Sequence, residues 1–228
     1  AALIASEGIK VVGVDVNQHI VSTINKGKIH IIEPDLDILV QSSVQSGNLR
    51  ATIEPEKADV FIIAVPTPFK GNHEPDLSYI KSAAKSIAIV LEKGNLVILE
   101  STSPVGTTEK LTKWISEERS DLSFPEYSIN NEVDVAISHC PERVLPGNII
   151  SELVKNDRII GGMTTQCAEK SREFYNIFIK ANCFITDSRT AELSKLVENS
   201  FRDVNIAFAN ELSLICDKLN LNVWELIK

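Results

Sequence analysis

Between Thr190 and Asn205 the sequence reads TAELSKLVENSFRDVN, and three of its side chains could do chemistry together. Lys195, Asn199 and Arg202 stand at i, i+4 and i+7, so a helix places them on one side. A cation, an amide and a guanidinium gathered there can hold a developing oxyanion and a phosphate or carboxylate. The same spacing also fits a face that is simply wet. Glu192, Glu198 and Asp203 widen it into a polar arc, opposite an apolar stripe of Leu193, Leu196, Val197, Phe201 and Val204.

Four further stretches bear reactive side chains just after short apolar runs. Asp15 ends the run IKVVGVDV; an acid there either binds the ribose hydroxyls of a dinucleotide or caps the helix that follows. AVPTPF (64–69) sets Thr67 between two prolines, which is either a stiffened ligand loop or a plain strand stop. ESTSPVGTTEK (100–110) carries Ser101, Thr102 and Ser103 ahead of a helix start. Its free N–H groups suit a phosphate, or Thr107 or Thr108 merely caps the helix. SHCPERVLPGN (138–148) holds Glu142 and Arg143 between prolines. The carboxylate could serve as a base or orient a water and the guanidinium could clamp an anion, or the two form a surface ion pair. Cys140 could be a nucleophile or a buried structural thiol.

The elements that must carry these residues alternate. Strands are expected at 9–16, 58–66, 96–101, 133–140, 157–162 and 183–187. Helices are expected from Gln18, over 75–94, 107–118 and 164–181, with a polar surface loop at 120–132. Strand–helix alternation implies βαβ units and a mostly parallel sheet covered on both faces. From Ser188 a helical period runs to about Leu219, too long for an ordinary globular helix, so a domain boundary is expected near 187.

Composition narrows the classes. The net charge is −8 with no basic stripe, which argues against nucleic-acid binding. No apolar run reaches the roughly 18 residues of a membrane span, and no leader-like N-terminus stands out. Cys140, Cys167, Cys183 and Cys216 form no C-x-x-C pair, so zinc and thioredoxin-like chemistry are not expected; reduced thiols of a cytoplasmic protein are. No metal site is expected.

The strings GVDVNQ, AVPTPFKG, ESTSPVGTTE, CPERVLPGN, NDRIIGGM and TAELSKLVENSFRDVNIAFANELSLICD, in this order, resemble the nucleotide-sugar 6-dehydrogenases along essentially the whole chain. The resemblance implies a Rossmann-like, doubly wound, mostly parallel α/β sheet over 1–187. A long connecting and dimerisation helix, opening a second domain, would follow over 188–228. It implies NAD as cofactor, a UDP-sugar as substrate, a homodimer, and oxidation of the sugar C6 alcohol to a carboxylate with two NAD⁺, for surface polysaccharide. Asp15 would contact the adenosine ribose, and Thr67 and Thr102 the nicotinamide side. Glu142 would help activate the water that hydrolyses a thioester. Arg143, Val144 and Arg202 would contact the nucleotide-sugar. Lys195 would act as acid/base or polarise the C6 oxygen, and Asn199 would stabilise the oxyanion. The sugar implied is UDP-N-acetyl-D-mannosamine, with UDP-N-acetylglucosamine or UDP-glucose as alternatives; Pro146, where UDP-glucose enzymes carry a glutamate, favours the N-acetylhexosamine branch. The family's glycine-rich loop and nucleophilic cysteine are not found here, so the chain reads as the middle of a longer enzyme, inactive alone. A non-catalytic Rossmann module and a two-domain hydroxyacid dehydrogenase are the rival readings.

Overall fold

The computed structural model describes every residue except 32, 128, 130, 131, 145 and 146. It opens with α1 (Ala2–Ser6), then β1 (Val11–Val14), α2 (Gln18–Asn25), α3 (Leu36–Gln45) and β2 (Leu49–Thr52). Next come β3 (Val60–Ile63), a hairpin of β4 (Phe69–Lys70) and β5 (Glu74–Pro75), α4 (Ser78–Ala88), β6 (Leu96–Leu99) and α5 (Thr107–Glu118). Then follow β7 (Ala136–His139), α6 (Ile149–Lys155), β8 (Arg158–Gly162), α7 (Thr165–Tyr175), β9 (Cys183–Asp187), α8 (Ser188–Lys218) and α9 (Val223–Ile227).

The strands form a five-stranded sheet in the order β3-β6-β7-β8-β9 and a separate parallel pair, β1-β2. All neighbours in the large sheet are parallel except β7 and β8. This is the mostly parallel α/β architecture that the alternation predicts. β6 shows why its strand is continuously apolar: Leu96, Val97, Ile98 and Leu99 are all at most 1% exposed, with helices on both faces. The core built on it takes in Ile80, Ala84 and Leu91 from the α4 segment, Leu111 and Ile115 from α5, and Tyr175 from α7.

The registers set the site. β8 pairs antiparallel with the last half of β7, Ser138 against Gly162 and His139 against Gly161. Arg158, four residues before Gly162, therefore reaches past the carboxyl end of β7. The sheet's carboxyl edge thus gathers the segments after β3, β6 and β7.

α8 spans 31 residues, close to the expected extent. Asp187 caps it, accepting from the Thr190 N–H at 3.0 Å and the Thr190 hydroxyl at 2.7 Å. Its first turns pack on the sheet through Ala191; residues 199 to 211 are all exposed. The apolar stripe therefore finds no cover in the described domain: Leu193, Val197, Phe201, Val204 and Phe208 are 49 to 71% exposed. Three expectations needed correction. α4 is shorter than 75–94, because the hairpin occupies its expected start. α3 and β2, for which no element is expected, complete the β1 unit. Of the 120–132 loop, Pro125 is buried and Phe124 and Tyr127 pack against the core.

Candidate active site

The segments after β3 and β6 are stitched together by their own hydroxyls. Ser101 Oγ accepts from the Val65 N–H at 2.9 Å and donates to the Val65 carbonyl at 2.7 Å. Thr67 Oγ1 donates to the Thr102 carbonyl at 2.7 Å. Thr67 and Thr102 are thus brought together at the carboxyl edge, both half-buried.

Asp15 ends β1, half-buried. The helix cap is Asn17, whose side chain accepts from the His19 N–H at 2.9 Å, so capping is not Asp15's task. One Asp15 oxygen takes the Asn17 N–H at 2.8 Å; the other makes no hydrogen bond among the described residues. Val16 beside it is 92% exposed. A free carboxylate oxygen next to an open apolar side chain suits ribose hydroxyls and a flat ring above them.

The loop after β7 carries the next group. Glu142 and Arg143 do not pair with each other through their side chains. Glu142 Oε1 accepts the Arg143 N–H at 2.7 Å, and its Oε2 lies 3.7 Å from the Arg158 guanidinium. Arg158 is buried, 3.9 Å from Glu100, and stacks over the Tyr175 ring at 5.1 Å. Tyr175 donates to Glu100 at 2.6 Å. Burial pushes the Glu100 carboxyl up, against the opposite pull of that hydroxyl and of Arg158. Sequence spacing alone did not reveal Arg158 as the partner that fixes Glu142. Val144 follows, half-buried; Leu145 and Pro146 lie outside the described residues.

Cys140 is no nucleophile here. Burial pushes its thiol up to about 12, and its sulfur sits 3.8 Å from Arg158 inside the core. His139 beside it is fully buried, and neither ring nitrogen meets a partner among the described residues. Burial pulls that imidazole down to about 4. Below pH 6.5 the unfolded chain takes up a proton that the folded one refuses until about pH 4, so this site weakens folding as pH falls across that window. The urea midpoint is expected to drop more steeply from pH 6.5 to 4.5 in the wild type than in His139→Leu; parallel drops would remove His139 from the account.

α8 closes the site. Glu192 is fully buried and reaches the start of α5. Its Oε2 accepts the Gly106 N–H at 2.6 Å, and its Oε1 accepts the Thr108 N–H at 2.7 Å and the Thr108 hydroxyl at 2.6 Å. This corrects both readings of the α5 start: a carboxylate of the same chain occupies the Gly106 and Thr108 N–H groups that would suit a phosphate, and neither Thr107 nor Thr108 caps the helix, whose N-cap is Gly106. Two turns on, Glu198 Oε2 accepts from Arg143 Nε at 2.8 Å, and its Oε1 lies 3.5 Å from Arg202.

These two glutamates fix where the arc points. At about 100° per residue, Lys195, Asn199 and Arg202 fall at roughly 300°, 340° and 280° from Glu192, and Glu198 at roughly 240°. All three lie between a side chain anchored after β6 and one anchored after β7. The arc therefore lies on the side of α8 that carries both anchored glutamates. Lys195 is half-buried and Asn199 exposed, and neither side chain has a hydrogen-bond or ion-pair partner among the described residues. No described group of His, Cys, Asp and Glu could hold a metal, and no described helix is long and apolar enough to cross a membrane.

A mostly parallel α/β sheet with a carboxylate at one strand end and hydroxyl-stitched loops at its carboxyl edge, joined to a long helix, is the layout of a dinucleotide-binding unit. The NAD binding domain model of the UDP-glucose/GDP-mannose dehydrogenase family matches residues 1–179, and that family's central domain model matches 189–228. The chain belongs to the UDP-glucose/GDP-mannose dehydrogenase family. It is 67% identical, over its whole length and 56% of the relative's, to the UDP-N-acetyl-D-mannosamine dehydrogenase of Campylobacter jejuni. It is 61% identical, over 53% of the relative, to an NDP-N-acetyl-D-galactosaminuronic acid dehydrogenase of Ralstonia nicotianae. A UDP-D-ManNAc dehydrogenase structure from Pyrococcus horikoshii superposes at a TM-score of 0.92, 42% identical, over all of this chain and 53% of that one. The chain spans about half the length of the curated relatives it matches.

Proposed function

We propose that this chain supplies the NAD-binding domain (1–187) and the start of the central helical region (188–228) of an NAD-dependent nucleotide-sugar 6-dehydrogenase, acting on UDP-N-acetyl-D-mannosamine. The observation that carries the reading is the bracketing of Lys195, Asn199 and Arg202 on α8 between two glutamates, one anchored after β6 and one after β7. The relatives named for N-acetylhexosamine substrates support the sugar class.

The residues present fit the cofactor. Asp15 offers its free oxygen to the adenosine ribose, while Thr67 and Thr102 line the edge where the nicotinamide would lie. NAD supplies the hydride acceptor when bound. Lys195 takes up or polarises the charge on the sugar C6 oxygen, and Asn199 donates its amide to the same atom. Arg143 and Arg202 hold the diphosphate, with Val144 against the sugar nucleotide. Glu142, held by the Arg143 N–H and facing the Arg158 guanidinium, orients the water that hydrolyses the thioester left by the second hydride transfer, releasing the carboxylate. β1 and β3 each leave one edge unpaired among the described residues, which supports a further strand of the same Rossmann unit between them in the whole protein. The exposed apolar face of α8, with an open groove of about 460 Å³ running past Glu198, Phe201 and Ile206, supports a homodimer. Four free cysteines support a cytoplasmic setting.

The test is to mix the full-length protein with NAD⁺ and each UDP-sugar. Two NADH and one uronate per UDP-N-acetyl-D-mannosamine are expected, with UDP-glucose and UDP-N-acetylglucosamine turned over at least about tenfold more slowly. A faster rate on either moves the protein to another branch; no NADH with any sugar favours the non-catalytic module.

A further inference from the structure

We propose that Glu192 is a positioning residue: clamped on the first N–H groups of α5, its carboxylate sets the rotation of α8 that turns Lys195 and Asn199 to the mouth of the sheet. This rests on the function proposed above.

α8 does not need Glu192 to begin. Asp187 already caps it, and Ala191 already seats it against Gly161. Those contacts fix where the helix lies; a second directional tie near its start, Arg189 on Glu109 of α5, is solvent-exposed and screened, and so holds the rotation only weakly. Glu192 comes a turn after Asp187, and its three hydrogen bonds of 2.6–2.7 Å reach Gly106 and Thr108, two residues apart at the start of α5. A bidentate, charge-assisted contact at a helix N-terminus is directional, as apolar packing is not. Burying a carboxylate is costly unless every lone pair is used in this way, so a group serving stability alone would be served as well by an apolar side chain. Lys195 and Asn199 follow at i+3 and i+7, on the same side. Helix side chains reach about 5–6 Å from the axis, so a rotation of about 10° moves their tips by about 1 Å. A displacement of that size at a reacting group costs up to about a hundredfold in rate.

Glu192→Gln keeps the shape but turns an NH₂ toward a backbone N–H. Thr108→Val removes one donor to the carboxylate and leaves the backbone in place. In the full-length protein, NADH formation in a single turnover with saturating UDP-N-acetyl-D-mannosamine is expected to fall at least about tenfold in Glu192→Gln, and by a smaller factor in Thr108→Val. The NAD⁺ dissociation constant is expected to stay within about twofold, and Thr108→Val to add nothing on top of Glu192→Gln. A Glu192→Gln protein that melts earlier but transfers hydride at the wild-type rate when folded overturns the proposal. So does an additive double variant. If Glu192→Gln does not fold, Thr108→Val decides, and a wild-type rate there overturns it. Lys195→Ala separates the two readings. If it leaves the rate intact, the role given to Lys195 falls and takes this inference with it, while NADH formation itself upholds the proposed function; if it abolishes the rate while Glu192→Gln does not, only the positioning role falls.

Discussion

Replacing Lys195 by alanine in the full-length protein is expected to slow the first hydride transfer by about 10³-fold, with the NAD⁺ dissociation constant unchanged. The magnitude follows from two roles in one side chain. A positioned acid–base group contributes about 10²–10⁴ in rate, and a preorganised donor to an oxyanion about 10²–10³. The other cations named at this site are already engaged. Arg143 and Arg202 share Glu198. Lys195, half-buried between two anchored glutamates, has no such partner among the described residues, so its charge is available to a substrate oxygen. NADH absorbance after rapid mixing reads the step directly. A rate within about threefold of wild type would end the assignment. A rise in KM with kcat intact would move Lys195 from the reacting oxygen to the binding of the nucleotide.

What the sequence discloses of this site, and what it hides, divides along the range of the interactions. Periodicity is local, so the long helix from Ser188 and the apolar β6 were both legible. Lys195, Asn199 and Arg202 were found as a set because a helix converts spacing into a face. Glu192 was not, because within one helix a buried glutamate and a wet one look alike. Only the partner at Thr108, 84 residues earlier, tells them apart. The same holds for Glu33, buried, which accepts from the Gly147 N–H at 3.0 Å and the Ile149 N–H at 2.8 Å, and so holds the end of the Glu142 loop. Arg158 sits in a strand recognisable from DRIIGG, yet its reach to Glu142 depends on that strand running antiparallel to β7, a register no local pattern specifies. β2 is hidden in the sequence for a simpler reason. Four residues alternating between buried and exposed, LRAT, are too few to stand out. Asp15 is ambiguous in sequence between cap and ligand; Asn17 takes the cap, and the ligand role is the one proposed for Asp15.

Gly161→Ala is expected to destabilise the protein by about 3 kcal/mol or more, and to do so by lifting α8 off the sheet. Gly161 is not there for backbone freedom, since its φ is ordinary. It is there because no side chain fits. A Cβ at this position would lie 2.5 Å from the Ala191 methyl, 2.5 Å from the Asp187 carbonyl oxygen and 2.8 Å from Ser188 Cα. Two of the three are backbone atoms of the α8 start and its cap, so no flexible side-chain tip can swing away, and the helix itself must retreat. Gly13→Ala is the matched control. Its new methyl meets only the Arg50 carbonyl at 3.8 Å, and a change within about 1 kcal/mol is expected. Urea unfolding of the two variants beside wild type measures the difference, and equal midpoints would mean that α8 is not seated where the close approach puts it. The effect should also reach the chemistry. A helix displaced at Ala191 carries Glu192 away from Gly106 and Thr108, so folded Gly161→Ala should lose hydride transfer while retaining NAD⁺ affinity. That pairing of defects connects a glycine of β8 to the ammonium of Lys195, because the helix that Gly161 seats at Ala191 is the one that carries Glu192 and Lys195.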